Sequence, residues 1–327
     1  MESRRRNHYD VTNQICIADP NEVCHAVIEL LARHDPALDV HALENAFLTF
    51  TRLHAGDLPG YAAADTPYHD AQHSLDCTLG AARLIDGHER GVPTARRLGP
   101  RRALLGVLIA LFHDAGYVRR RGDRAENGAA YTLSHVQRSA EFLHKWLPSF
   151  GFHREARLAG RIVHFTGYEM ALDDIPVRDP RDRALGFIVG SADLLVQTAD
   201  RCYLEKIRDF LYPEFEVAGL AGPRRPGGPV PLYADRSELM RGTPEFNARL
   251  WSDRLDGYFG GIHRHLGTHF EGRFGGHNPY RDCIDDNLQR IGQAIRSSRF
   301  DDLCLRPRAV DAAWMRRSLG LREQIAA

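Results

Sequence analysis

Several histidines and acids of this 327-residue chain lie within or beside strongly apolar stretches. The segment PYHDAQHSLD places His69 and His73 four residues apart, and the apolar run LLGVLIALF leads directly into the pair His113 and Asp114. Another acid, Asp193, interrupts the apolar run FIVGSADLLV. A buried carboxylate is costly unless it is protonated, hydrogen-bonded or bound to a cation. These positions therefore need partners, and a metal ion is one that imidazoles and carboxylates share.

Two more histidines, His135 in SHVQRSAEFL and His164 in RIVHFTGY, are also set among apolar residues. A single histidine of this kind is more often an ordinary core or surface residue than a ligand. Several imidazoles and carboxylates on separate predicted helices favour a shared role instead. Because the pattern contains no thiolate, this donor set suits Zn, Fe, Mn or Mg. The sequence therefore predicts a metal site among these groups.

The segments that carry these residues follow a helical period, which predicts an all-α fold. The clearest predicted helices span 21–34, 39–56, 65–87, 101–116, 134–148, 154–167 and 182–211. Thr66 and Pro67 predict that the third of these begins at Pro67, and Ser134 with Gln137 has the spacing of a capping box. Residues 235–298 also have a helical pattern.

The predicted organisation has four parts. Residues 1–20 form a flexible N-terminus, 21–217 a helical core with N-terminal helices, 218–233 a Gly/Pro-rich loop, and 234–327 a C-terminal helical extension packed on the core. The loop prediction depends on the breaker-rich run AGLAGPRRPGGPVPLY.

Composition narrows the class of protein. The formal net charge is zero, so no global field attracts nucleic acid or an anionic membrane. The six cysteines are scattered without a C-x-x-C pair, which argues against a zinc finger or a disulfide framework and fits a reducing compartment. No apolar signal segment is seen at the N-terminus, and no apolar run reaches the ~18 residues that cross a bilayer. We therefore expect a cytoplasmic protein that acts on a small molecule rather than on nucleic acid or a membrane.

The order H…HD…D, formed by His73, His113 with Asp114, and Asp193, resembles the signature of the HD-domain metal-dependent phosphohydrolases. The resemblance covers roughly residues 65–210, and the histidines between the doublet and the last acid are similar to those of its dinuclear members. The segment YHDAQHSLD further resembles the Y-H-N-x-x-H-x-x-D motif of class I cyclic nucleotide phosphodiesterases. The resemblance to the HD-domain family implies an HD-domain helical bundle with additional N- and C-terminal helices.

The resemblance also implies roles for individual residues. A first metal would be held by His73, His113, Asp114 and Asp193. Asp114 would bridge to a second metal, for which His135 and His164 are the expected protein ligands. His69 matches the phosphodiesterase histidine that protonates the leaving oxygen. Asp76 could orient a ring N–H as an outer partner of the metal ligands, although an ordinary exposed helix acid is an equal alternative.

The chain departs from the family pattern at two places: Tyr117 stands where phosphodiesterases have a histidine after the doublet, and Asp70 stands in place of the asparagine. A further departure concerns HFTGYE, which has neither the paired histidines nor the G-Y-P element of enzymes that degrade cyclic-di-GMP. That substrate is therefore not expected.

Substrate contacts are predicted less directly. Arginines of YVRRRGDRAENG, namely Arg119, Arg120, Arg121 and Arg124, could grip a phosphate or nucleotide, but a solvated basic loop is the favoured interpretation. Gln197 and Asp200 follow Asp193 on about the same helical face, where they either line the pocket or serve in helix packing.

A second histidine group occurs in HRHLGTHF. His263, His265 and His269 are predicted as surface residues because no buried acid accompanies them in the sequence.

The predicted function is a metal-dependent phosphohydrolase with two divalent ions (Zn, Fe, Mn or Mg), which cleaves a phosphodiester such as a cyclic nucleotide through a metal-bridging hydroxide. The alternatives are a nucleotide phosphomonoesterase, an HD-type di-iron oxygenase and a regulatory module that binds a nucleotide without turnover. A homodimer is left open.

Overall fold

The fold is all-α, as predicted. The computed structural model describes residues 7–224 and 230–303, and within them the extended backbone forms only isolated bridges rather than a sheet. Parts of three predicted segments lie outside the described residues: 1–6 of the N-terminus, 225–229 of the Gly/Pro-rich loop and 304–327 of the C-terminal extension.

The α-helices occur in the following order. They are α1 (Pro20–Ala32), α2 (Val40–Ala55), α3 (Ala71–Gly91), α4 (Pro100–Phe112), α5 (His135–Trp146), α6 (Ala156–Ile162), α7 (Pro180–Ala199), α8 (Tyr203–Lys206), α9 (Tyr212–Val217), α10 (Arg236–Arg249), α11 (His265–Phe270) and α12 (Pro279–Ser297). π-Helical turns over Ile207–Leu211 and Leu250–Tyr258 join α8 to α9 and extend α10. The predicted helix 182–211 is divided at residues 200–202, between the end of α7 and the start of α8.

Helix α3 is the centre of the core. It is buried along nearly its whole length and packs against α1, α4, α7 and α11. Helix α4 is apolar on all sides, which fits a helix surrounded by others. Helix α7 packs on both α3 and α4, and α12 packs on α7. The apolar faces of α3, α4 and α7 therefore meet in one core.

The start of α3 differs from the prediction. The helix begins at Ala71 rather than Pro67, and its N-cap is Asp70, whose carboxylate accepts a hydrogen bond from the backbone N–H of His73 at 2.9 Å. Just before Asp70, the backbone N–H groups of Tyr68 and His69 donate to the Glu214 carboxylate. An acid distant in the chain thus satisfies these N–H groups ahead of the observed start of α3.

At α5 the prediction is right in part. Ser134 is the N-cap residue, but its side chain makes no capping hydrogen bond within the described part of the chain. The side chain of Ser134 contacts the carbonyl oxygen of Tyr131 instead.

Residues 7–19 lie against the helices rather than apart from them. Asp10 is fully buried and forms an ion pair of 2.5 Å with Arg83 of α3. Arg83 also donates to the Tyr280 hydroxyl of α12 at 3.0 Å. Arg201 donates to backbone carbonyls of the same segment, including that of Tyr9 at 2.8 Å. These bonds connect the N-terminal segment to helices from both halves of the chain.

Across 7–224 and 230–303, no helix is both long and apolar enough to cross a bilayer.

Candidate metal centre

Three core helices bring four of the predicted ligands together. His73 lies in the first turn of α3, His113 and Asp114 directly follow α4, and Asp193 lies in the second half of α7. Each of these polar side chains lies where α3, α4 and α7 pack against each other. The convergence is therefore a consequence of core packing.

The donor atoms of these four residues point at a common centre. His73 Nε2 lies 3.4 Å from Asp114 Oδ2 and 3.2 Å from Asp193 Oδ1. His113 Nε2 lies 3.3 Å and 3.6 Å from the same two oxygens. Ligand atoms of His73, His113 and Asp114 all fall within 4.8 Å of one another, so this group could hold a metal ion.

Hydrogen bonding leaves two of these atoms available for a cation. The Nδ1–H of His113 donates to the Ala110 carbonyl at 2.7 Å, which makes Nε2 the atom with the free lone pair. His113 Nε2 and Asp114 Oδ2 are buried and have no hydrogen-bond partner among the described residues. Buried polar atoms are rarely left unpaired. A cation would satisfy both, so the residues fit a metal.

The ionisation of the two carboxyl groups, Asp114 and Asp193, also fits a metal site. Burial alone would raise the pKa of Asp114, but the neighbouring His113 outweighs burial and holds this pKa well below its usual value. The pKa of Asp193 is likewise lowered, against the effect of burial, by the neighbouring rings of His113 and His73. Both carboxylates are thus ionised at neutral pH, as metal ligands must be.

The two carboxylate oxygens of Asp114 face different histidines. Oδ2 faces His73 and His113, whereas Oδ1 lies 3.6 Å from His135 Nε2. The Nδ1–H of His135 donates to the Thr132 carbonyl at 2.7 Å, so Nε2 again carries the lone pair. Burial lowers the pKa of His135, which keeps the ring neutral at neutral pH.

His164 is buried, but its described contact is with Glu169 rather than with Asp114. Its Nδ1–H donates to Glu169 Oε1 at 2.6 Å. A side chain at Gly167 would clash with Glu169 Oε2 at 1.9 Å, so the glycine leaves room for this contact. Glu169 and His135 line the same cavity. Glu169 was not predicted from the sequence, although its position five residues after His164 in HFTGYE indicates a nearby partner for this ring.

Cys77 is a second residue that the sequence analysis missed. Ligand atoms of Cys77, His113 and Asp193 lie within 4.8 Å of one another, so this group too could hold a metal. Burial raises the pKa of the Cys77 thiol to about 11. The available signal was its position one helical turn after His73, on the same face of α3.

His69 lies beside the metal centre and is held by a distant acid. Its Nδ1–H donates to Glu214 Oε2 at 2.5 Å, and Glu214 is itself almost fully buried. Burial alone would lower the pKa of His69, but the Glu214 carboxylate outweighs burial and raises it. One face of the ring stacks on Tyr117 at 4.2 Å, and Tyr117 stacks on His135 at 4.3 Å. Tyr117 therefore fills the space between the two histidines.

Asp76 is buried rather than exposed, so the alternative of an ordinary exposed acid is wrong. It lies with His73 in a small pocket of about 20 Å³, and its Oδ1 has no hydrogen-bond partner among the described residues. Burial raises the pKa of Asp76 to about 8. Asp200 lines the same pocket and forms an ion pair with Lys206.

The arginines after the doublet lie away from the site. Arg119 forms an ion pair with Asp65 at 2.8 Å, Arg120 pairs with Glu141 at 2.5 Å, and Arg124 is exposed. They are not among the described residues that line the cavity at the metal centre.

The predicted surface position of His269 is wrong. Its ring is buried, and its Nδ1–H donates to the buried carboxylate of Asp86 at 2.6 Å. His34 donates to the other oxygen of Asp86 at 2.9 Å. This cluster joins α11 and the end of α1 to α3.

The metal centre opens into a cavity of about 510 Å³, within the size range of small-molecule sites. Polar residues of the site line one part of it: His69, His73, Asp114, His135, Asp193 and Gln197. The predicted position of Gln197 on the face of Asp193 agrees with this lining. Segments between residues 207 and 249 line another part.

Compared with known proteins, the chain matches no family model, and no curated protein is significantly similar to it.

Proposed function

We propose that this protein is a metal-dependent phosphohydrolase with a dinuclear centre. The arrangement of Asp114 carries the proposal, because one of its oxygens faces His73 and His113 and the other faces His135. In this scheme a first ion is held by His73, His113, Asp114 and Asp193. A second ion is held by Asp114, His135 and His164, and Zn, Fe, Mn and Mg all suit such ligands.

Divalent ions in such a site supply a nucleophile from water at neutral pH and neutralise charge on a phosphoryl group. The chain's own contribution to leaving-group departure is His69. With Nδ1–H bonded to Glu214, the opposite nitrogen, Nε2, is the one able to donate a proton into the cavity. The raised pKa of His69 favours the protonated ring, the form that a general acid requires. Metal ligands and an oriented acid in one cavity support hydrolysis of a phosphoester.

The test combines metal analysis with turnover. Purified protein should contain about two divalent ions per chain, as dinuclear phosphoesterases do, and should release p-nitrophenol from bis-p-nitrophenyl phosphate with or without oxygen. Asp114→Asn keeps the shape of the side chain and should remove both metal and turnover. Asp285→Asn, on the exposed face of α12, is the matched control and should retain both.

Protein that binds metal fully but hydrolyses no phosphoester would overturn the proposal. An absolute requirement for oxygen would indicate oxidative chemistry at the site instead.

The dinuclear part has its own test. His135→Ala and His164→Ala should each remove about one metal equivalent and leave the other ion bound, because the ligands of the first ion stay intact. Full metal content and activity in both variants would reduce the proposal to a single protein-held ion.

A further inference from the structure

The wall of the cavity contributed by the described residues between 207 and 246 is largely apolar. Its lining side chains include Ile207, Leu211, Phe215, Tyr233, Leu239 and Phe246. Phe215 and Tyr233 stack with their rings parallel within 3° and 6.4 Å apart, which gives this wall a flat aromatic surface. This segment supplies none of the proposed metal ligands, so the polar and apolar parts of the cavity come from different regions of the chain.

Apart from the hydroxyl of Tyr233, the polar side chains on this wall offer little to a nucleobase. The Thr243 hydroxyl already donates to the Leu239 carbonyl of its own helix at 3.0 Å. Arg249 is exposed and lies 3.9 Å from Glu245. A base is normally read by hydrogen bonds to its edge, and a site built for such bonds leaves costly unpaired groups when they are absent. Among the described residues, this wall therefore favours hydrocarbon over a base.

The mouth of the cavity is apolar as well. Leu133, Tyr168 and Leu232 line the cavity, and each side chain is more than half exposed. Val230, two residues before Leu232, is also exposed. Large apolar side chains clustered at the entrance of a groove, rather than scattered singly, mark a surface that binds apolar ligands.

We propose that the substrate is an amphiphilic phosphoester whose phosphoryl group lies at the metal centre and whose hydrocarbon chain lies along the apolar wall. The inference rests on the proposed phosphohydrolase function and adds the substrate class to it. A soluble alkyl phosphoester and a phospholipid share this chemistry.

The first experiment uses p-nitrophenyl phosphodiesters whose second ester group is methyl, butyl or octyl, each below its micelle concentration. These substrates share charge and leaving group, so only the chain differs. Each methylene buried on the apolar wall should raise kcat/KM up to about fourfold until the wall is covered. Presenting the octyl ester in phosphatidylcholine vesicles tests whether the substrate is taken from a phospholipid surface. Faster turnover of the octyl ester than of the methyl ester, either in solution or in vesicles, supports the inference.

Two variants locate the effect. Phe215→Ala removes part of the wall, and Leu232→Asn changes an exposed rim residue whose loss cannot unfold the protein by opening the core. Both should reduce the octyl-to-methyl ratio of kcat/KM. Leu48→Asn is the matched control, because Leu48 is an exposed leucine of α2 outside the cavity lining, and it should keep the wild-type ratio.

A binding measurement separates this inference from the proposed function. Octylphosphonate should bind the metal-loaded protein at least tenfold more tightly than methylphosphonate in calorimetry, whether or not any ester turns over. Equal binding, or metal-dependent turnover that is independent of chain length, would overturn the inference and leave the phosphohydrolase standing. Preferential octyl binding without any turnover would overturn the phosphohydrolase and leave the ligand class standing.

Discussion

His69 differs from the other histidines of the site in what holds its ring. The Nδ1–H groups of His113 and His135 donate to neutral backbone carbonyls, whereas that of His69 donates to the Glu214 carboxylate. A carboxylate stabilises the imidazolium form, and a carbonyl does so less. The first two rings therefore present Nε2 towards Asp114, whereas the ring of His69 is held by a charged partner outside the proposed ligand set.

This difference predicts separate effects on metal and turnover. His69→Ala should keep its metals and lose about 10²–10⁴-fold in turnover of a natural ester, the usual range for a general acid. The loss should shrink for p-nitrophenyl esters, since p-nitrophenolate departs without a proton. Metal analysis and both rates measure this, and loss of metal in the variant would make His69 a ligand instead.

The Glu214 contact predicts a pH dependence. Because the pKa of His69 is raised, the ring should stay protonated to a higher pH than an ordinary histidine. Activity should therefore persist to that pH and fall as pH rises through the raised pKa. In Glu214→Gln the carboxylate is gone while burial, which lowers the pKa, remains. The basic limb of the pH profile of kcat/KM should therefore move to lower pH. Glu245→Gln, an exposed acid of α10, is the control, and an unmoved limb in Glu214→Gln would contradict the proposed role.

At the level of elements, the turn after α4 is joined to the start of α5 by close backbone contact. Gly116 N–H donates to the Ser139 hydroxyl at 2.8 Å, and Arg138 donates to the Gly116 carbonyl at 2.7 Å. A Cβ on Gly116 would lie 1.9 Å from the carbonyl oxygen of His135. The glycine thus permits the approach that brings His135 towards Asp114.

Gly116→Ala should push the start of α5 away and destabilise the fold by about 1–3 kcal/mol, as overpacking does. His135 moves with α5, so the variant should also lose about one metal equivalent, in line with its role as a ligand. Urea unfolding and metal analysis measure the two effects. Gly122→Ala has no atom within 4 Å of the added Cβ and should change stability by less than about 0.5 kcal/mol. Equal behaviour of the two variants would be inconsistent with this contact.

A second link joins the N-terminal segment to α3 and α12 through the buried pair of Asp10 and Arg83. Removing one partner of a buried pair leaves a buried charge unpaired. Asp10→Asn should therefore lower the free energy of unfolding by about 3–5 kcal/mol. The exposed pair of Arg281 and Asp285 on α12 is the control, and Asp285→Asn should cost less than about 0.5 kcal/mol.

The sign of the pH dependence follows from the pKa of Asp10. Burial alone would raise it, but Arg83 and the hydrogen bonds to the carboxylate outweigh burial and lower it. The stabilisation is complete above the usual carboxyl value of about 4 and is lost as pH falls through the lowered pKa. The difference between wild type and Asp10→Asn in urea unfolding should therefore narrow in acid. A difference that is constant from neutral pH to about pH 2, below the usual carboxyl value, would argue against ionisation of Asp10.

For the whole molecule, the candidate metal site lies inside the main core, so metal binding and folding should be linked. Its residues lie on or directly after α3, α4 and α7, whose packing forms that core. Only the folded chain brings these ligands together, so a bound ion should stabilise the fold by about 2.7 kcal/mol at a concentration one hundred times its Kd. Thermal unfolding with and without Mn²⁺ or Zn²⁺ measures this as a rise in Tm. Asp193→Asn should reduce the rise, because it removes a ligand of the first ion and leaves those of the second intact, and a Tm unaffected by any divalent ion would contradict a buried metal site.

The all-α fold and the convergence of His73, His113, Asp114 and Asp193 could be predicted from the sequence. The reason is that the segments of α4 and α7 are largely apolar, so polar residues within them are expected in the core. The grouping of these four residues at one site came from the family resemblance. Helical period is a local property, and it reports which residues face inward.

Only the tertiary structure decided which partner each polar side chain has. Glu214 lies 145 residues from His69 along the chain, and it both orients His69 and takes the backbone N–H groups that would have begun α3 at Pro67. Asp65 and Glu141 engage the arginines that could otherwise have reached a phosphate. No period or spacing encodes such pairs, because an ion pair or hydrogen bond depends on where two distant segments come together once the helices have packed.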